Sequence, residues 1–165
     1  MAANVVKLCG NFLIGSALET MAEALNLVEK NGLDRKRVIK LFSQIMFTGP
    51  IYQNYGTMIA EKRYPPVGFE MRLALKDIRL VLDTAERVEM SMPFASCVHD
   101  RLLAGVAKGR GRLDWTALAQ LVEEDAGQRR QKHDVSGRRH GCDPDQSSRF
   151  RNPHQKVERP KCKAA

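Results

Sequence analysis

A lysine and an asparagine stand four residues apart, Lys7 and Asn11, in the run NVVKLCGN at residues 4–11. Four residues is close to one helical turn, so the two side chains share a face. Their neighbours Val5, Val6, Leu8, Phe12 and Leu13 are core-type residues. A polar pair among such residues is either a rim of solvent contact or a site, and a lysine at a site can move a proton. An ordinary lysine, with a pKa of roughly 10.4, is a poor base at neutral pH. Burial on an apolar helix face disfavours the ammonium and corrects this. Val6, Leu8 and Phe12 place Lys7 for that role. Spacing alone leaves open a plainer alternative, a lysine lying along a core helix with its ammonium in water.

A second lysine of interest is Lys76, in ALKDIRL at residues 74–80. It sits within an apolar stripe of Met71, Leu75, Ile78, Leu82 and Ala85. On its own residues it reads as an exposed helix lysine. Asp77 beside it is open to a local pair or to a basic residue on another helix. Phe69 reads as a core residue closing a loop. Asp114, just before Trp115, is a helix N-cap. Tyr52, Tyr55 and Tyr64 read as packing or rim residues, Trp115 as a lid over the end of the core, and His99 as a satisfied helix histidine. His133, His140, Cys142, His154 and Cys162 are zinc-type ligands, but their spacing fits no finger or ribbon, and no metal site is expected.

These residues need helices to hold them. Apolar residues recur at spacings of three and four over residues 4–30, with Gly15, Ser16, Ala17, Ala22 and Ala24 between them, so that another helix can approach closely. Asn31-Gly32 ends that helix, and Asp34 caps the next. Thr48-Gly49-Pro50 breaks the chain before a third helix over residues 51–61, and Tyr64-Pro65-Pro66 makes an extended loop. Further helices are expected over residues 70–88, from Pro93 to about residue 107, and over residues 115–124, with Gly105, Gly109 and Gly111 forming a flexible turn. No alternating strand and no repeat is evident. The expectation is an all-α domain over residues 1–125.

Charge divides the chain. Of its 165 residues, 1–125 carry 16 Lys+Arg against 15 Asp+Glu, whereas 126–165 carry 11 against 4. The second segment has a single Phe, two Val and no Leu, Ile, Met, Trp or Tyr. It cannot bury enough apolar surface to offset the entropy of ordering, so a disordered basic tail is expected. The tail lacks aromatic interleaving and amphipathic periodicity, which disfavours nucleic acid and membrane partners. Four cysteines without a CxxC read as reduced thiols in a cytoplasmic protein. No signal peptide is evident, and no apolar stretch is expected to reach the ~18 residues of a membrane span.

Four segments in order carry a family resemblance: NVVKLCGN, EALNLVEKNGLD (residues 23–34), FEMRLALKDIRLVLDTAE (residues 69–86) and GRGRLDWTALAQLV (residues 109–122). The chain resembles the C-terminal helical domain of the β-hydroxyacid dehydrogenases, which include 3-hydroxyisobutyrate dehydrogenase and tartronate semialdehyde reductase. That resemblance implies a multi-helix bundle of the 6-phosphogluconate dehydrogenase C-terminal-domain type. It implies NAD or NADP as cofactor, a small hydroxyacid as substrate and a homo-oligomer. It assigns Lys7 as the catalytic acid/base and Asn11 as the group that orients the substrate. Lys76 becomes a contact near the nicotinamide end, with Phe69 bordering the same pocket. The family's Rossmann domain has no counterpart here, since no GxGxxG follows a strand. The expectation is thus the helical half of a dehydrogenase, inactive alone. The alternative is a non-catalytic helical dimerisation or interaction module.

Overall fold

The computed structural model describes residues 2–128. The expected basic tail from residue 129 onward, with its histidines and cysteines, lies outside the described residues. Six α-helices make the fold: α1 (Ala2–Lys30), α2 (Arg35–Ile45), α3 (Pro50–Ala60), α4 (Met71–Glu86), α5 (Pro93–Gly105) and α6 (Ala119–Asp125). A wide turn, Val106–Arg110, and a 3-10 turn, Trp115–Leu118, join α5 to α6. No β-strand occurs among the described residues. The one strand-like feature is an isolated antiparallel bridge between Glu70 and Asp114.

α1 is the axis of the bundle and packs against every other helix. Its core face carries Leu18, Met21, Ala22 and Leu25, which meet Ile59 of α3, Ile78 of α4, Val98 of α5 and Trp115. The small residues of α1 are used inside the chain: a Cβ on Gly15 would stand 3.3 Å from Val98 Cγ1 and 3.9 Å from Trp115 Cζ3. One expectation needs correcting here. α1 is long and apolar enough, by length and composition, to cross a membrane. Leu8, Leu18, Met21, Ala22 and Leu25 of that helix are buried against the rest of the bundle, while Val6, Leu13 and Leu27 are exposed.

Asp34 caps α2 as expected, its side chain accepting from the Lys36 backbone N–H at 2.9 Å. Gly105 is not a flexible turn residue. It is buried at the end of α5, where Met71 and Leu121 close over it and leave no room for a side chain. Trp115, only 2% exposed, is a core residue rather than a lid.

Polar groups also enter the core, each held by partners as burial demands. Arg35 bridges Glu29 and Glu123 at 2.8 Å each and donates to the Ile59 carbonyl at 2.9 Å. Glu19, 2% exposed, accepts from Arg101 Nε at 2.7 Å, and Arg101 also holds Asp125. Burial pushes the Glu19 carboxyl above its ordinary value, against the pull of Arg101.

Candidate active site

Asp77 lies on the inward side of α4, with Ala74 three residues before it and Val81 four residues after. It is 6% exposed. A carboxylate in that position needs donors, and two come from the first turns of α1. Asn11 Nδ2 donates to Asp77 Oδ2 at 2.6 Å. Lys7 Nζ donates to the same oxygen at 3.1 Å and lies 3.5 Å from Oδ1. Directly after Lys7, Leu8 turns inward onto Val81 and Ala95. That apolar contact fixes the approach of α1 to α4 beside the polar cluster. Two residues one turn apart in the sequence are thus joined to a third some seventy residues away.

The expectation that Lys7 is desolvated is not met. Its side chain is 61% exposed. Val5 and Val6, read above as core material, point outward at 38% and 72% exposure. Of the apolar residues in the first two turns of α1, only Leu8 is buried. Lys7 therefore faces solvent on one side and Asp77 on the other. Nζ has three N–H donors and lies within hydrogen-bonding distance of both Asp77 oxygens, which leaves donor capacity on its solvent side. Asn11 keeps its Oδ1 and one N–H for the same purpose, because a single N–H serves Asp77.

Lys76 neighbours Asp77 in sequence but points about 100° away around α4. It is exposed, with no ion-pair partner among the described residues. Phe69 is half-buried and packs edge-on against Trp115 at 5.0 Å between ring centroids, in the loop that leads into α4. The structure therefore joins Lys7 and Asn11 through Asp77, while Lys76 and Phe69 stand elsewhere on α4 and its entry loop. Asp77 is the site residue that sequence reasoning left unassigned. Its signal was a carboxylate placed on the buried face of an amphipathic helix, which cannot stand there without donors. Among the described residues, no three His, Cys, Asp or Glu side chains stand together as a metal site would require.

Residues 2–122 match the family model described as NAD-binding of NADP-dependent 3-hydroxyisobutyrate dehydrogenase. The chain belongs to this β-hydroxyacid dehydrogenase family. An uncharacterized oxidoreductase of Bacillus subtilis is 41% identical over 121 residues, which are 73% of this chain and 42% of that protein. Glyoxylate/succinic semialdehyde reductase 1 of Arabidopsis thaliana is 28% identical over 118 residues, 72% of this chain and 40% of its own. A solved 3-hydroxyisobutyrate dehydrogenase from Salmonella typhimurium shares the fold with a TM-score of 0.65 at 22% identity, covering 70% of this chain and 40% of that one. The chain spans about two fifths of the length of these relatives.

Proposed function

We propose that this chain supplies the helical, substrate-facing part of an NAD(P)-dependent oxidoreductase that interconverts a small β-hydroxyacid and its aldehyde or ketone. The observation that carries the reading is the Lys7–Asp77–Asn11 cluster on an open face of α1 and α4. A bound nicotinamide exchanges a hydride with the reacting carbon. The chain's own part is the proton on oxygen. In reduction, the Lys7 N–H that Asp77 leaves free donates to the oxygen as it becomes an alcohol, and in oxidation the same nitrogen takes the proton back. Asn11, its amide fixed by Asp77, orients the substrate through its free Oδ1 and N–H.

The donor set fits a dinucleotide in part. Lys76 offers one free cation and Phe69 one ring, but the sequence carries no glycine-rich turn to cradle a pyrophosphate. The chain alone is therefore inactive in this reading, and a dinucleotide-binding domain completes the site. Calorimetric titration with NAD and NADP tests it, with Lys7→Ala and Lys76→Ala alongside. Binding weakened by Lys76→Ala supports the cofactor contact. Binding indifferent to Lys76→Ala, or hydroxyacid turnover by the chain alone, refutes the reading as stated.

A second reading, a non-catalytic helical module that pairs with another copy, is favoured by Leu41, Ile45 and Met46. These stand 50%, 69% and 65% exposed along and just after α2. Sedimentation at several concentrations tests it, and a monomer throughout would refute it.

A further inference from the structure

α4 carries Asp77 and Lys76, yet it does not cap itself. Glu70, at its N-cap position, makes no side-chain capping bond. The first N–H groups of a helix have no partner within it. Here the segment between the wide turn and the 3-10 turn, far along the chain, serves them. Met71 N–H donates to the Leu113 carbonyl at 2.9 Å, and Arg72 N–H to the Gly111 carbonyl at 3.0 Å. Just ahead of the helix, Gly68 and Phe69 N–H donate to Asp114 Oδ2 at 2.9 and 3.1 Å. Trp115 N–H closes the strip by donating to the Phe69 carbonyl at 2.9 Å.

Asp114 divides its work between its two oxygens. Oδ1 accepts from Thr116 N–H at 3.0 Å and from the Thr116 hydroxyl at 2.6 Å, which is N-capping of the 3-10 turn. Oδ2 has no part in that cap and serves only the loop before α4. The carboxylate is 1% exposed, and its four donors account for its burial. A capping residue alone needs one oxygen. The second makes Asp114 the tie between the C-terminal segment and the start of α4.

We propose that Asp114 is a positioning residue for the candidate site: through Oδ2 it fixes Gly68 and Phe69 and, with the Gly111 and Leu113 carbonyls, sets the register of α4 that presents Lys76 and Asp77. This inference rests on the proposed function for the meaning of those two residues, but its test reads structure and succeeds or fails independently of cofactor binding.

The test compares two variants of the full chain by amide NMR, hydrogen exchange and fluorescence of Trp115, the single tryptophan. Asp114→Ser keeps a capping oxygen for Thr116 and removes the reach to Gly68 and Phe69. Thr116→Val perturbs the Oδ1 side alone. In Asp114→Ser the Gly68 and Phe69 amides should exchange on the order of tenfold faster, the loss of one buried hydrogen bond. The Lys76 and Asp77 resonances should shift and the Trp115 emission should change. In Thr116→Val, Lys76 and Asp77 should stay in place. Equal shifts at Lys76 and Asp77 in the two variants, or none in either, would overturn the proposal. If Asp114→Ser does not fold, native-state exchange of the unmodified chain decides. Amides 68, 69, 71 and 72 should open together with 114–116 at one free energy, and separate opening would overturn it.

Discussion

Replacing Asp77 by alanine removes the one group that joins Lys7 and Asn11 across α1 and α4. The cost follows from the geometry. The Asn11 bond is short at 2.6 Å and partly buried, and its acceptor is a carboxylate. Hydrogen bonds to charged groups contribute about 1.5–3 kcal/mol. The Lys7 bond is longer at 3.1 Å and its ammonium is mostly in water, so solvent screening holds it to about 0.2–1 kcal/mol. Together they predict a loss of about 2–4 kcal/mol in Asp77→Ala, or roughly 8–16 °C in Tm for a domain of this size. Urea unfolding followed by Trp115 fluorescence measures the total, and double-mutant cycles divide it. The Asn11–Asp77 coupling should exceed the Lys7–Asp77 coupling by about 1 kcal/mol or more. Equal couplings, or a larger one for Lys7, would show that the pair is held by charge rather than by the buried amide bond, and the division of roles drawn above would fall.

Two further predictions concern the scaffold. The Lys62 and Arg35 contacts hold Glu29 below its ordinary value against the opposing effect of burial, and hydrogen bonds from Arg110 and Lys108 do the same for Glu124. A depressed carboxyl stabilises the fold above its ordinary unfolded value of 4.5 and loses that contribution as pH falls through the lower folded value. Glu19, raised chiefly by burial, acts with the opposite sign: its contribution is present below 4.5 and fades as pH rises through its folded value. The urea midpoint should therefore drop below pH 4.5 by less in a Glu29→Gln, Glu124→Gln double variant than in the parent, and an equal drop would contradict the assignment. Gly105→Ala should destabilise by about 1–2 kcal/mol despite the better helix propensity of alanine, because the added Cβ meets Met71, which is fully buried. A gain in stability by calorimetry would show that the core there can yield.

The helices were legible because their signals are local. Asp34 and Asp114 cap as read, and α4 and α5 begin and end within about two residues of the expected positions. Contacts across the chain were not legible in the same way. A carboxylate such as Asp77 declares by its place on α4 that it needs a donor, but nothing in the sequence names Lys7 and Asn11 seventy residues earlier. Arg35 follows the cap residue in the polar stretch DRKR, yet it is held in the core by Glu29, Glu123 and the Ile59 carbonyl. Its role depends on Glu123 arriving from the far end of the chain. Lys7 shows the reverse error. Their apolar character marks Val5 and Val6 as core, but of the first two turns only Leu8 meets α4 and α5.

That exposure bears on the proposed function. A lysine used as acid and base could be tuned by desolvation, as the sequence suggested, but Lys7 stands in the open, beside a carboxylate. Within these residues, its orientation comes from Asp77 and its distance from the Leu8–Val81 contact, while nothing among them excludes water. In the proposed function, exclusion of water must then come from what covers the exposed Val5, Val6 and Leu13 face. This divides the labour in a definite way. The helical chain contributes an aligned proton carrier and a fixed amide, both tied to one carboxylate. In that reading the covering surface excludes the water that the open side of Lys7 admits. A site assembled in two parts has its groups in place before it is closed, and the retained Lys7–Asp77–Asn11 geometry in the chain alone is what such an arrangement requires.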